Sequence, residues 1–275
     1  IASTVPETEA APLLLLHGVG SSSETWLELI PLLDGRRIIA PDYRGHGASD
    51  SPQPPYAMDD FVEDALRLLD ELGVDRVHVA GFSIGALFAE RLAILEPGRV
   101  VSLVLLSSIA DRTDEERARA ANRLAHITST PPAQVAPASA ERWFTPEFRD
   151  SDPVLVQREI DIVSSVDHAP YAASYKVLVE NDPVDIVEAI ACPTLIMTGE
   201  RDEGSTPAMS QALHRRIRES RLVIVPNVKH YVHVELPATI AGEINAMLGD
   251  LDPVIPPPGG LTEVAVADPT GRRIP

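Results

Sequence analysis

The stretch Val77-His78-Val79-Ala80-Gly81-Phe82-Ser83-Ile84-Gly85 decides how this chain is read. Val77 to Ala80 is a short apolar run suited to a buried strand, and Ile84 to Leu95 carries a helical apolar pattern stopped by Pro97-Gly98. Ser83 stands on the turn between them, inside a Gly-x-Ser-x-Gly pentapeptide. A sharp strand-to-helix turn forces its central residue into strained backbone geometry. Glycines must flank it, because a Cβ there would meet the neighbouring strand and helix. Such a turn holds the serine hydroxyl in the open, where it can act as a nucleophile. The pentapeptide alone would describe an ordinary loop, and the strand before it with the helix after it lifts it above that.

The segments on either side repeat the same alternation. Leu13 to Leu16, Arg37 to Ala40 and Val101 to Leu106 read as further strands. Between the second and third strands, Phe61, Val62, Ala65, Leu68, Leu69 and Leu72 recur at helical spacing over Met58 to Leu72, and Gly73 supplies the stop. At Asp111-Arg112-Thr113-Asp114-Glu115-Glu116-Arg117 a charged helical stretch opens, and prolines 131, 132, 137, 146 and 153 interrupt the residues beyond it. The alternation resumes with strand Thr194 to Thr198, helix Pro207 to Ile217, strand Arg221 to Val225 and helix Pro237 to Leu248. The pattern predicts an α/β fold, a doubly wound and mostly parallel sheet, with core residues 1–110 and 191–250 and a helical cap inserted over 111–190. Pro253, Pro256, Pro257, Pro258, Gly259 and Gly260 mark 251–275 as a tail without regular structure.

Composition narrows the function. The 275 residues hold 41 acidic against 23 basic side chains, a formal charge of -18 that repels phosphate backbones, so nucleic acid is not an expected partner. Cys192 is the single cysteine, which rules out an intrachain disulfide and a cysteine-based zinc site and fits a reducing cytoplasm. No run approaches ~20 consecutive apolar residues, and Ala11 to Leu16 lacks the basic flank and length of a signal peptide, so a soluble protein without a membrane partner is expected. The chain opens on Ile1 rather than Met, which leaves room for a segment ahead of it. No His-Glu-x-x-His and no Gly-x-Gly-x-x-Gly after the first strand are present, and neither a metal nor a nicotinamide cofactor is expected.

A serine hydroxyl needs a base to take its proton and a carboxylate to orient that base. In doubly wound sheets such groups gather just past the carboxyl ends of strands. Asp202, after strand Thr194 to Thr198, and His230, after strand Arg221 to Val225, meet that requirement. Glu200, Glu203 and Asp111 compete for the acid, and His233 for the base.

Four segments carry a family resemblance: Leu15-Leu16-His17-Gly18-Val19-Gly20, Asp42-Tyr43-Arg44-Gly45-His46-Gly47-Ala48-Ser49, the turn at Ser83, and His230-Tyr231-Val232-His233-Val234-Glu235-Leu236-Pro237. Over about residues 11 to 248 the chain resembles the α/β-hydrolase superfamily, in its serine-nucleophile, cap-bearing branch. The stretch from Pro193 to Pro207 looks most like 3-oxoadipate enol-lactonase and its relatives. The resemblance implies a triad in the order Ser83, Asp202, His230, with the histidine five residues before Glu235 and seven before Pro237. It gives His17 and His46 structural roles, and places an oxyanion hole at the backbone N–H groups of Val19 and Ile84. Trp143, Phe144, His168 and Tyr171, with Phe148 and Tyr175, are candidates for the substrate wall of the cap, and Arg123, Arg142, Arg149 or Arg158 could receive a carboxylate.

The implied activity is hydrolysis of a small carboxylic ester or lactone through an acyl-enzyme. Carbon-carbon bond hydrolysis by the same triad, acyl transfer or perhydrolysis, and a receptor with little or no turnover are the alternatives. Aspartate-nucleophile chemistry is disfavoured by the serine at position 83.

Overall fold

The computed structural model describes residues 2–4 and 10–252. Strands β2 (Leu13–Leu16), β3 (Ile38–Ala40), β4 (Val77–Phe82), β5 (Val100–Leu106), β6 (Thr194–Gly199) and β7 (Ser220–Val225) form a parallel sheet, and β1 (Ala2–Thr4) adds to β3 antiparallel at one edge. The spatial order is β1-β3-β2-β4-β5-β6-β7. The chain therefore runs outward from β2 to β3 and returns on the other side with β4, so the winding reverses between β2 and β4. That crevice is where doubly wound sheets bind ligands.

Both faces of the sheet are covered, which explains the near-continuous apolar runs. Leu13, Leu15, Ala80, Phe82, Val104 and Leu106 pack into one buried layer, and Leu14, Leu16, Val79, Leu103 and Leu105 into the other, with the period of two that a pleated strand imposes. Helices α1 (Met58–Glu71) and α2 (Ile84–Leu95) cover the second layer. Helix α2 is buried almost all round, with nine of its twelve residues inside.

Between β5 and β6 lie α3 (Asp114–Ser129), α4 (Pro132–Trp143), α5 (Pro146–Ser151), α6 (Pro153–Ser165) and α7 (His168–Glu180). Pro132, Pro146 and Pro153 open α4, α5 and α6 rather than breaking them, since a first-turn proline gives up an amide with no helical partner. Thr113 caps α3 reciprocally with Glu116. The two ends of this insertion are tied together. The Asp182 carboxylate accepts the Asp111 and Arg112 amides at 2.9 and 3.0 Å, and the buried Arg112 guanidinium donates to the Leu178, Val179 and Asn181 carbonyls.

After β6 come α8 (Pro207–Arg216), β7, the short α9 (Val232–Glu235) and α10 (Pro237–Leu251). Most element ends fall within one residue of expectation, and three differences are larger. β4 continues to Phe82 because it is paired with β2 through Gly81 and with β5 through Phe82, α10 runs on to Leu251, and β1 is too short to carry a readable period. The expected tail lies, from residue 253, outside the described residues.

Candidate active site

Ser83 joins β4 to α2 with φ 56° and ψ −119°, the left-handed region that a residue with a side chain rarely enters. Its amide donates to the Leu106 carbonyl at 2.9 Å. A Cβ on Gly81 would fall 2.2 Å from the Gly85 carbonyl oxygen, and one on Gly85 would fall 2.2 Å from that of Leu16. Both glycines are therefore required by close backbone approach, as the pentapeptide implies.

Asp202 follows β6 and is 4% exposed. One carboxylate oxygen, Oδ1, accepts the Gly204 and Ser205 amides at 2.9 Å each, and Oδ2 lies 2.7 Å from His230 Nδ1. This arrangement assigns the Nδ1 proton to the carboxylate and leaves Nε2 as the basic nitrogen. Two further contacts fix the ring. The Ser107 hydroxyl donates to the His230 carbonyl at 3.0 Å, and the Phe82 ring packs against the imidazole with centroids 4.9 Å apart.

Ser83, Asp202 and His230 line one cavity of about 660 Å³, shared with Gly18 and Val19. Val19 lies in the turn after β2, and Ile84 is the first residue of α2, so its amide has no carbonyl partner within the helix. Neither amide donates to another group among the described residues. The turn is braced by two buried imidazoles. His17 Nε2 accepts the Tyr43 amide at 3.0 Å while Nδ1 donates to the Gly18 carbonyl, and His46 Nε2 accepts the Gly20 amide at 3.0 Å while Nδ1 donates to that of Arg44. Burial lowers His17 to about 3 and His46 to about 4, so both are neutral tethers.

The rival residues sit elsewhere. His233 is fully buried, and burial with the nearby His230 lowers it to about 3. The Thr25 hydroxyl donates to Glu159 at 3.0 Å and therefore accepts from His233 Nε2 at 3.0 Å, a link between the core and α6. Asp111 is exposed at the base of the insertion, and Glu200 accepts the Asn227 amide. Glu203 does reach the cavity wall, beside Asp202.

Among the substrate-wall candidates, Trp143, Tyr171 and Tyr175 line the cavity. Phe144 does not: it is fully buried and packs on Tyr231 and Phe148, because α4 ends at Trp143 and the backbone turns extended at Phe144, with φ −122° and ψ 149°. His168 does not either, since its Nε2 donates to the Ile127 carbonyl at the end of α3 at 2.7 Å. Arg149 faces Glu141, and Arg158 binds Glu28 and Glu159, whereas Arg123 and Arg142 line the cavity. Sequence reading missed Arg112, Arg119, Met209 and Tyr231 on the wall, and Ser107 and Glu235 behind it. Glu235 accepts the Thr145 amide and hydroxyl at 3.0 and 2.6 Å, which fastens the segment after His230 to the α4–α5 turn.

The chain belongs to the alpha/beta hydrolase family, whose sequence pattern matches residues 13–243. It is 27% identical over 247 residues to 3-oxoadipate enol-lactonase 2 of Acinetobacter baylyi, covering 90% of this chain and 91% of that protein. It is 26% identical over 248 residues to the (E)-2-((N-methylformamido)methylene)succinate hydrolase of the same organism, covering 87% and 91%. Among solved structures, a hydrolase from Pseudomonas aeruginosa PA01 superposes with a TM-score of 0.83 at 27% identity, over 90% of this chain and 92% of that one. Among the described residues no helix is long and apolar enough to cross a membrane.

Proposed function

We propose that the protein hydrolyses a small carboxylic ester or lactone through an acyl-enzyme on Ser83. The observation that carries this reading is the strained serine turn opening into the same cavity as His230, whose Nδ1 is held 2.7 Å from a buried carboxylate. Similarity to an enol-lactonase and to a second hydrolase supports it.

His230 Nε2 takes the Ser83 proton as Oγ attacks the acyl carbonyl, and the oxyanion so formed accepts from the Val19 and Ile84 amides. Collapse breaks the carbon-oxygen bond to the leaving alkoxide, which receives the proton from His230. For a lactone that alkoxide stays tethered to the acyl group. Water, deprotonated by the same nitrogen, then attacks the acyl-enzyme and releases the carboxylic acid and Ser83. Asp202 stabilises the imidazolium in both halves. A cytoplasmic setting belongs to the same reading and is supported by the single cysteine.

The test joins mass spectrometry after a fluorophosphonate probe with turnover of p-nitrophenyl esters and simple lactones, for wild type and Ser83→Ala. Stoichiometric labelling that vanishes in the variant, with turnover lowered about 10⁴-fold or more, is expected. A folded wild type that neither labels nor turns over would overturn the reading in favour of a receptor.

A further inference from the structure

The cap side of the active cavity carries an arrangement of charge that the hydrolytic machinery does not use. Four arginines line it, and two of them are satisfied: Arg119 faces Glu115 and Glu116, and Arg112 donates to backbone carbonyls at the base of the insertion. Arg123 on α3 and Arg142 on α4 have no carboxylate within ion-pair distance among the described residues. They are close enough for Arg142 to depress the ionisation of Arg123, which burial depresses first. Arg123 is not a swinging surface chain. Its Nη2 donates to the hydroxyl of the buried Ser139, and Tyr171 and Tyr175 stand beside it.

Two neighbouring guanidinium groups without a counter-ion, one half-buried and the other exposed, repel one another, and an anion seated between them relieves that cost. A chain of formal charge -18 could readily have supplied such a carboxylate and does not do so here. We propose that Arg123 and Arg142 form a subsite for a carboxylate carried by the substrate, in the cavity that Ser83 also lines. The planar five-donor fork of each side chain suits bidentate contact with a carboxylate. The proposal rests on the hydrolase reading, since it names the substrate class of the same site.

Matched chromogenic esters separate the two ideas: mono-p-nitrophenyl adipate, which ends in a carboxylate, and p-nitrophenyl hexanoate, which ends in a methyl group. Wild type should prefer the first in kcat/KM. In Arg142→Met that preference should shrink about 10- to 100-fold, the range for a lost charge-assisted contact, and mostly through KM. Arg142→Lys should restore part of it. Arg149→Met, off the cavity, should leave the preference unchanged. Arg142 is exposed and safer to replace than Arg123, which also anchors Ser139.

Calorimetry of adipate with Ser83→Ala gives a readout that needs no turnover. Binding that weakens when Arg142→Met is added supports the subsite even where neither ester is hydrolysed, in which case only the hydrolase reading fails. Equal use of the two esters by wild type, a preference that survives Arg123→Met/Arg142→Met, or absence of both turnover and adipate binding overturns the subsite.

Discussion

Glu90 offers a prediction that can be worked from the fold to a number. It lies midway along α2, the helix that Ser83 opens, and it is 1% exposed. One carboxyl oxygen accepts the Ser108 hydroxyl at 2.9 Å, and Oε2 has no partner among the described residues. Burial, with a smaller push from Asp182, raises the carboxyl from its ordinary 4.5 to about 8, so it is a neutral acid at pH 7. The folded state thus binds a proton that the unfolded chain releases, and this contribution is complete below 4.5 and lost as the pH climbs towards 8. The slope is about 1.4 kcal/mol per pH unit, and the whole window amounts to at most about 5 kcal/mol.

Other buried groups act in the opposite direction. His17 at about 3, His46 at about 4, His78 at about 4 and His233 at about 3 must stay neutral, and they cost stability as the pH falls below 6.5. The comparison must therefore be made with Glu90→Gln, which retains an acceptor for Ser108 and cannot ionise. Urea unfolding of both proteins at several pH values between 5.5 and 7.5 reads the difference. The variant should gain about 2 to 3 kcal/mol on wild type across that span. Parallel stability curves would refute the reasoning, because they would mean that Glu90 is ionised in the folded chain or reaches water.

Two further outcomes test the turn and the choice of base. Gly85→Ala puts a methyl group where the Leu16 carbonyl oxygen is 2.2 Å away, and it should abolish fluorophosphonate labelling; a variant that labels like wild type would show slack in the turn. His233→Ala should lower stability by about 1–3 kcal/mol through the released Thr25 and Glu159 partners. It should keep turnover at least about a hundredfold above that of His230→Ala, and equal losses in the two would place His233 in the chemistry.

The machinery around Ser83 was legible because each part is local. A strand end, two glycines and a serine define the turn within five residues, and Asp202 and His230 each sit a fixed few residues past a strand. The cap wall was only half legible. Whether a cap residue meets the substrate depends on the rotation of its helix over the sheet, which tertiary packing sets. Where the helix ends matters as well: Trp143 and Phe144 are adjacent aromatics in the same buried cluster, yet only Trp143, the last residue of α4, also lines the cavity. The prolines misled for a related reason, since a breaker inside a helix and a first residue of the next one look alike until the helix axes are known.

A second trio shows why residue types and distances alone do not define a site. On β4 itself, His78 Nδ1 lies 2.8 Å from the Ser102 hydroxyl and its Nε2 lies 3.4 Å from the Asp252 carboxylate, a serine, histidine and aspartate in contact. The two trios use opposite ends of one strand: Ser83 follows its carboxyl end, and His78 is the second residue at its amino end. His78 and Ser102 are fully buried, and burial with the charge of Arg36 lowers His78 to about 4. An imidazole so reluctant to take a proton is a poor base near neutrality, and Ser102, in mid-sheet pairing with His78, has no strained turn to lift it towards a substrate. Asp252 also accepts the Ala11 amide and pairs with Arg36, so this trio pins the end of α10 beneath the sheet. What sets the Ser83 trio apart is access to a cavity, a strained turn that carries the serine, and a position where the winding of the sheet reverses, three properties of the fold rather than of the side chains.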